Sequence, residues 1–231
     1  MDGSQVIEPK GFIKLNGIKF PKDGTIVTGR VRGLLRNGGY ESKDAQNLLR
    51  VVREDDVVIE LGAGIGFTST LLATKRKIQH IHAYEGNPAL IPYIQSVYAA
   101  NGVENATVTN AVLGKRKGSV DFFVRRNILA SSLQEIEGTN VTSTPKVDVL
   151  NAKAVFKDIN PTVLICDIEG GEAELVPSLD LSQLRAAVIG LHPQWIGPHG
   201  VNAVFKAMMD AGMAYYARGS SSKTVAFRRS W

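Results

Sequence analysis

Residues 57–67 read V-V-I-E-L-G-A-G-I-G-F, and this stretch decides the fold class that the sequence predicts. An apolar run ends in an acid, Glu60, and the segment at 68–76 is compatible with a helix. Between them, glycines stand at three alternate positions, which are Gly62, Gly64 and Gly66. The pattern predicts a buried strand, a tight turn and a helix start. Because glycine exposes bare backbone and the N–H groups at a helix start face outwards, the turn predicts a nucleotide-like ligand.

Length and composition favour one α/β domain over residues 1–231, in which a β-rich N-terminal extension at 1–40 precedes a core at 41–231. The single cysteine, Cys166, excludes a disulfide framework and a cysteine-rich zinc site. The N-terminus lacks a signal-peptide pattern, and no apolar run approaches the roughly 20 residues of a membrane span. We therefore expect a cytoplasmic protein with no membrane partner.

The net charge of +5 comes from scattered basic clusters without interleaved aromatic residues. This pattern favours solvated loops and helix ends over a nucleic-acid surface, although binding of nucleic acid or of an anionic substrate stays open.

Strand and helix patterns alternate along the rest of the chain. Strands are expected at 56–61, 78–84, 106–110, 118–124, 146–150, 161–167, 186–192, 213–217 and 224–228. Helices are expected at 67–76, 88–100, 151–158 and 200–211, with another that Ser42 caps. The alternation predicts a mostly parallel sheet with helices on both faces, whose ligands bind outside the carboxyl ends of the strands. The polar stretch at 125–146 reads as a long loop, either a mobile cover of the site or disordered.

The spacing of the glycines narrows the ligand. A dinucleotide fingerprint, G-x-G-x-x-G, requires a third glycine where this chain has Phe67. Glu85 ends the next strand about 20 residues beyond the turn, where an acid can accept from both hydroxyls of a ribose. A ligand with a ribose but no pyrophosphate fits best, and S-adenosylmethionine is such a ligand.

S-adenosylmethionine would place its ribose on Glu85 and its methionine end over the glycines, with Glu60 near its ammonium. Asn110 and Ala111, after the third strand, would meet the adenine. An ion-pair role for Glu60 and a capping role for Asn110 stay open. The residues predicted to bind the cofactor are Glu60, Gly62, Ala63, Gly64, Gly66, Phe67, Thr68, Glu85, Gly86, Asn87, Asn110, Ala111 and Asp167.

The arrangement resembles class I methyltransferases and, more narrowly, the FkbM-type family. The resemblance rests on G-Y-E at 39–41, V-I-E-L-G-A-G-I-G-F-T at 58–68, A-Y-E-G-N-P at 83–88, N-A-V-L-G at 110–114 and I-C-D-I-E-G-G-E at 165–172. The last block carries the family's Asp-x-Glu-Gly-x-Glu run and is the most specific. The resemblance implies a Rossmann-like, mostly parallel seven-stranded sheet and methyl transfer, usually to a hydroxyl of a sugar or natural product. This chain differs in having Cys166, Gly190 and Gly64 where family members often have lysine, glutamate and asparagine.

The catalytic candidates are Asp167, Glu169 and His192. Asp167 and His192 end buried strands at the ligand edge, and a carboxylate or histidine there can take the proton of a substrate hydroxyl. Alternatively, Asp167 and a neighbouring carboxylate could hold Mg²⁺ and acidify a substrate diol. A third interpretation is that Glu169 and Glu172 only charge the first turn of the next helix.

Substrate contacts are predicted for Tyr40, Glu41, Glu172 and Trp195. A cap or surface role for Tyr40 and Glu41, and core cover for Trp195, are the alternatives. The function expected is S-adenosylmethionine-dependent O-methylation of a small molecule, and a homodimer stays open. A methyltransferase of RNA or protein, or a non-catalytic nucleotide-binding protein, are the alternatives. D-I-E-G stands where amino-group methyltransferases often carry an Asn-Pro-Pro-Tyr-type run.

Overall fold

The computed structural model describes residues 11–135 and 138–230, which form α/β layers. The strands are β1 (Phe12–Leu15), β2 (Ile18–Pro21), β3 (Val57–Leu61), β4 (His80–Glu85), β5 (Ala106–Asn110), β6 (Val112–Gly114), β7 (Gly118–Asp121), β8 (Val124–Arg125), β9 (Val141–Ser143), β10 (Lys146–Asn151), β11 (Val163–Cys166), β12 (Ala186–Gly190), β13 (Ala214–Tyr215) and β14 (Thr224–Arg228). The α-helices are α1 (Gly29–Arg36), α2 (Ser42–Val51), α3 (Phe67–Lys75), α4 (Ile91–Ala100), α5 (Ala152–Ile159), α6 (Glu172–Leu175) and α7 (Pro193–Asp210).

A seven-stranded sheet in the order β13-β14-β12-β11-β3-β4-β5 forms the centre of the protein. The strands from β12 to β5 pair in parallel, while β14 runs antiparallel to both of its neighbours. The predicted mostly parallel seven-stranded sheet is therefore confirmed. Because β3 lies between β11 and β4, the carboxyl ends of these three strands meet at one edge, where a ligand is expected.

Apolar side chains explain why these strands lie at the centre. All residues of β11 and β12 are buried, as continuous apolar runs in parallel strands usually are. On one face the sheet packs against α3, α4 and the β1–β2 hairpin, and on the other against α5, α6 and α7. None of the helices in the described ranges is long and apolar enough to span a membrane.

The N-terminal extension is partly as predicted. Its β-structure is the hairpin of β1 and β2, whereas the β-branched stretch T-I-V-T at 25–28 forms no strand, and α1 follows at once. Asp23 explains the difference, because its Oδ1 accepts from the N–H groups of Thr25 and Ile26 and from the Thr25 hydroxyl. This local bonding folds the β-branched stretch into a turn. Residues 1–10 of the predicted extension lie outside the described part.

The long loop predicted at 125–146 is wrong in the part of it that the structure describes. β8 pairs with β9, and β7 and β10 join β6 in a three-stranded sheet. The side chain of Arg125 is buried and organises the segment. Its guanidinium donates to the carbonyls of Phe123, Ala130 and Gln134 and to the hydroxyls of Ser132 and Thr139. A buried cation with five acceptors holds these polar residues in place.

Helix boundaries differ at two places. α2 begins at Ser42, but the cap position belongs to Glu41 rather than to Ser42 as predicted. α7 begins at Pro193, before the predicted start at 200, and Gly197 interrupts it with a φ of 60°. The first turn of α7 is therefore separated from the main helix by a residue in the left-handed region, which favours glycine.

A buried ion pair at the amino ends of the central strands generates a stability prediction. Asp56 accepts from Arg185 Nε at 2.7 Å, from Thr162 Oγ1 at 2.8 Å and from Arg53 N at 2.7 Å. Because Asp56→Ala leaves a partly buried guanidinium and a backbone N–H without their acceptor, we expect it to lower the free energy of unfolding by about 3 kcal/mol. Urea denaturation followed by circular dichroism measures this change.

Asp121→Ala is the matched control. Asp121 pairs with Lys146 on the surface, and both side chains are about half exposed or more. We expect a loss below about 1 kcal/mol, because solvent screens such pairs. Equal losses in the two variants would contradict the role assigned to Asp56.

Candidate active site

The glycine turn between β3 and α3 requires its glycines. Gly62, Gly64 and Gly66 all have positive φ, at 88°, 55° and 75°. A Cβ on Gly62 would lie 1.9 Å from the backbone oxygen of Asp167, and one on Gly66 would lie 3.0 Å from Ile94. The turn therefore allows the end of β3 to contact the backbone that follows β11. Asp167 is brought beside the turn, as the sequence predicted.

Glu85 holds the same turn from the end of β4. Its Oε2 accepts from Gly64 N at 2.8 Å, and its Oε1 accepts from Asn87 N at 2.7 Å. The structure thus places the predicted ribose-binding acid directly beside the glycines. Asn87 is buried, and its Oδ1 caps the following turn through Ala89 N, so that side chain has a structural role.

Asn110 clamps the backbone after β4. Its amide donates to the carbonyls of Glu85 at 2.9 Å and Gly86 at 3.2 Å, which is the capping role left open above. Phe122, which the sequence analysis did not select, packs its ring against Gly86, where a Cβ would lie 2.3 Å from it. Phe122 follows β7, a strand of the separate three-stranded sheet, and no sequence motif connects that strand with Gly86. Contact of Asn110 with adenine stays a prediction.

Tyr40 and Glu41 lie over the glycine turn rather than on a remote surface. The Tyr40 hydroxyl is 3.5 Å from the position of a Cβ on Gly64. Glu41 has a φ of 44°, and its Oε2 accepts from Thr68 Oγ1 at 3.2 Å. The dipeptide before α2 and the first turn of α3 are therefore connected at the site.

Two predicted cofactor residues direct their side chains into the core. Phe67 is 1% exposed and packs against the rings of Phe20 and Tyr40, at centroid distances of 6.1 and 5.7 Å. Ala111 is buried in the opposite core cluster. Contact of Phe67 and Ala111 with the cofactor stays a prediction, and the burial of both side chains favours their backbone atoms for it. Ala63 is likewise buried, and its N–H donates to Tyr84 O.

Carboxylates that lack cationic partners surround the turn. Burial raises the pKa of Glu41 to about 7, and the charge of Asp167 adds to the effect. Burial also raises the pKa of Glu60 to about 8, and that of Glu85 to about 7 although the N–H groups of Asn87 and Gly64 oppose it. Within the described residues, Glu60 Oε2 has no hydrogen-bond partner, and none of these three glutamates forms an ion pair. The site is therefore electrostatically suited to a cation.

The second part of the site is a group formed by Asp167, Glu169, Glu172 and His192. His192 Nε2 lies 3.3 Å from Asp167 Oδ1 and 3.5 Å from Glu169 Oε2, while Nδ1 lies 3.0 Å from Glu172 Oε1. The three predicted catalytic residues are thus brought together. The Asp167 side chain is 58% exposed, so it remains open to a ligand.

Glu172 corrects a prediction. It is completely buried, and its carboxylate accepts from Ile168 N, from Gly170 N and from the imidazole of His192. A side chain with these contacts cannot bind substrate. It holds the E-G-G-E loop and the His192 ring in place, which the sequence interpretation of a charged first helical turn does not describe.

The carboxylates keep a proton on His192. Burial lowers its pKa, but the hydrogen bond to Glu172 and the charges of Asp167, Glu172 and Glu169 outweigh burial and raise the pKa to about 9. A ring that is protonated at neutral pH cannot accept a substrate proton. Burial also raises the pKa of Asp167, although protonated His192 opposes this. The role of general base therefore stays a prediction for Asp167 and Glu169. His192 could take that role only after it had lost its own proton.

Trp195 lies on the first turn of α7, close to the loop that carries Asp167 and Glu169. It is 41% exposed, so the alternative of core cover is wrong. A Cβ on Gly170 would lie 3.0 Å from the Trp195 Cβ and 2.9 Å from Gln134 Nε2. The Cβ of Trp195 and the side-chain amide of Gln134 therefore lie beside Gly170 in the loop that follows Asp167, and a substrate contact by Trp195 stays a prediction.

A groove of about 840 Å³ lies elsewhere, lined by residues of α5 and of the segment at 177–183. None of its lining residues belongs to the glycine turn or to the group around His192. The candidate site is therefore assigned from converging contacts and charges and not from cavity size.

The raised pKa values predict how the stability of the ligand-free protein depends on pH. For Glu41, Glu60 and Glu85 the folded pKa exceeds the unfolded value near 4.5, so their contribution is largest below about pH 4.5 and is lost as the pH rises through 7 to 8. His192 acts in the same direction between about pH 6.5 and 9. We expect the melting temperature to fall between pH 5.5 and pH 8.5, as measured by circular dichroism.

Glu60→Gln should flatten this dependence, because the amide cannot ionise. One pKa unit corresponds to about 1.4 kcal/mol, or roughly 3 °C for a domain of this size. Glu104→Gln, on an exposed position after α4, should leave the slope unchanged. A melting temperature that rises steadily to pH 8.5 in the wild type would contradict the electrostatic description of the site.

Comparison with known proteins identifies the fold. No family model matches the chain, and neither does any curated protein. Trm5b from Pyrococcus abyssi aligns with a TM-score of 0.51 and 18% identity over 94% of this chain, which spans only 55% of that protein. TYW2 from P. horikoshii, in complex with MeSAdo, aligns with a TM-score of 0.50 and 13% identity over 94% of this chain and 70% of its own. The chain therefore has the same Rossmann-like α/β fold as these two proteins.

Proposed function

We propose that the protein is an S-adenosylmethionine-dependent methyltransferase that methylates a hydroxyl of a small molecule, in the manner that the FkbM-type resemblance implies. The observation that carries the proposal is the set of Glu41, Glu60 and Glu85 around the glycine turn. These carboxylates have raised pKa values and no cationic partner in the described residues. A cationic ligand would favour the ionised form of these carboxylates, which burial disfavours.

S-adenosylmethionine matches the site in its charge and in the groups that it can present to the glycine turn and to Glu85. Its ammonium and sulfonium groups are positive, and they would favour the ionised, negatively charged forms of Glu60 and Glu41 beside the turn. Its ribose diol can donate to Glu85, whose two oxygens offer about four acceptor sites, of which the backbone uses two. The bare backbone at Gly62 to Gly66 admits the methionine end closely. TYW2 from P. horikoshii, which has the same fold, was solved in complex with MeSAdo, and this supports a ligand of that kind for this chain.

The reaction is an in-line displacement at the sulfonium methyl. The acceptor oxygen forms a bond to the methyl carbon, the carbon–sulfur bond breaks, and sulfur keeps the electron pair. The hydroxyl proton leaves to a carboxylate such as Asp167 or Glu169 and then to water. Asp167 lies beside the glycine turn, so acceptor and donor would be held next to each other.

The charge of the acceptor side favours a small neutral or cationic substrate. Asp167, Glu169 and Glu172 face this space or lie just behind it, and Asp44 adds negative charge nearby. Phosphate groups of RNA would be repelled by this surface. The exposed face of Trp195 offers an apolar wall for a ring-containing acceptor. RNA is therefore a less favoured acceptor than a small molecule.

Cofactor binding is the first test. We expect S-adenosylmethionine to bind the wild type in isothermal titration, and Glu85→Ala to weaken binding at least tenfold, because the variant loses the ribose acceptor and the bond to Gly64 N. Glu104→Ala, at an exposed site after α4, should bind like the wild type. Failure of the wild type to bind at millimolar ligand would refute the proposal.

Charge provides an internal control for that test. As the buried carboxylates ionise, affinity for S-adenosylmethionine should rise between pH 6 and pH 8.5. S-adenosylhomocysteine lacks the sulfonium charge, so its affinity should change less over the same range. Parallel pH profiles for the two ligands would argue against carboxylate recognition of the sulfonium.

The acceptor is identified by transfer of labelled methyl groups. We expect label from S-adenosylmethionine to enter the small-molecule fraction of an extract from cells lacking the protein, in an alkali-stable ether linkage. Glu169→Gln should reduce incorporation at least tenfold while cofactor binding persists, because Glu169 is a candidate base and not a predicted cofactor contact. Label found only in RNA or in protein would replace the small-molecule assignment by one of the alternatives.

A further inference from the structure

Three groups of metal-ligating type converge beside the proposed cofactor position. One oxygen each of Asp167 and Glu169 and one nitrogen of His192 lie within 4.8 Å of one another. His192 Nε2 is 3.3 Å from Asp167 Oδ1 and 3.5 Å from Glu169 Oε2. Ligand atoms about 2.1 Å from one ion and at right angles to each other are about 3 Å apart. The group therefore needs only small side-chain shifts to hold an ion.

We propose that Asp167, Glu169 and His192 form a binding site for a divalent transition-metal ion. Two carboxylates and one imidazole offer three ligands on one side of an ion and leave its other positions open. Transition metals such as Mn²⁺, Co²⁺ and Zn²⁺ accept an imidazole nitrogen, whereas Mg²⁺ prefers oxygen ligands and water. This changes the earlier magnesium interpretation at Asp167 to a metal that takes a nitrogen ligand.

The orientation of His192 is the observation that separates this site from a simple acidic cluster. Metal-binding histidines usually donate the other ring N–H to a carboxylate, which fixes the ring and raises its basicity. Here Nδ1 lies 3.0 Å from Glu172, a completely buried side chain that also accepts from Ile168 N and Gly170 N. The ring is consequently held with Nε2 directed at Asp167 and Glu169.

The loop geometry supports the same arrangement. Glu169 has a φ of 55°, a conformation that non-glycine residues adopt rarely and that commonly marks functional sites. Gly170 follows with a φ of 110°, and a Cβ there would lie 2.9 Å from Gln134 and 3.0 Å from Trp195. The loop thus turns sharply and brings the Glu169 carboxylate towards the end of β12 rather than away from it.

The position beside the glycine turn suggests what the ion would do, and this part rests on the proposed function. The backbone oxygen of Asp167 lies against Gly62, so an ion at Asp167 would lie near the methyl donor proposed for the glycine turn. A hydroxyl that binds a divalent cation loses its proton more readily. The substrate class expected is therefore an acceptor with two neighbouring oxygens, such as a vicinal diol or a catechol, which can chelate the ion.

Binding of Mn²⁺ to the full-length, chelator-treated protein tests the site. We expect one Mn²⁺ per chain by electron paramagnetic resonance titration, with affinity at least tenfold lower in Asp167→Asn, Glu169→Gln and His192→Ala. Asp210→Asn, an exposed carboxylate near the end of α7, is the matched control and should bind like the wild type. Circular dichroism melts establish that each variant is folded.

A spectroscopic readout distinguishes ligation from a structural role of His192. Electron spin echo modulation of the wild type with Mn²⁺ should show nitrogen coupling, and the coupling should vanish in His192→Ala. Glu172→Gln should weaken binding tenfold to a hundredfold while the nitrogen signal remains, because Glu172 orients the ligand without touching the ion. Absence of nitrogen coupling in the wild type would overturn the proposal, as would Mn²⁺ affinity that His192→Ala leaves unchanged.

The outcome is separable from that of the proposed function. Titration of S-adenosylmethionine into the same metal-free samples reports on the cofactor site alone. Cofactor binding without metal binding would reject this inference and leave the methyltransferase proposal standing. Metal binding without cofactor binding would support this inference and reject the methyltransferase proposal. If His192→Ala lowers the melting temperature but leaves metal binding unchanged, the ring belongs to an ion-pair network and not to a metal site.

Discussion

The contact between Gly62 and the backbone oxygen of Asp167 is the constraint on which the candidate site depends. A side chain on Gly62 would place its Cβ 1.9 Å from that oxygen, so the ends of β3 and β11 can approach only because this residue is glycine. The approach brings the glycine turn and the Asp167 loop to one edge of the sheet. Every other part of the site, including Glu85 at the end of β4 and His192 after β12, is positioned relative to these two backbones.

Acidic side chains are the second feature that both parts of the site share. Folding brings Glu41, Glu60 and Glu85 together without cationic partners, and it places His192 among further carboxylates. Such an arrangement costs free energy in the ligand-free protein, since burial of these carboxylates disfavours their ionisation. The two proposals resolve this cost in the same way, because each supplies a cation: the methyl donor at the turn and a metal ion at the strand ends.

Sequence reasoning succeeded where the determinant was local and failed where it was distant. The strand at β3, Glu85 and Asp167 were predictable, because spacing along the chain fixes which residues end parallel strands. The ordered structure around Arg125 was not predictable, since the carbonyls that accept from its guanidinium reach it only when the segment folds around it. Glu172 was misassigned for a related reason: an acid in a first helical turn reads as exposed, but here tertiary contacts with loop amides bury it completely.

The hairpin of β1 and β2 is joined to the ligand turn through the core. Phe20 stacks on Phe67, the first residue of α3, and the Tyr93 hydroxyl of α4 donates to the Pro21 carbonyl at 3.0 Å. The hairpin and the helix that follows the glycines therefore pack as one unit. Weakening the hairpin is expected to loosen the first turn of α3, so the rigidity of the glycine turn has a source outside the turn itself.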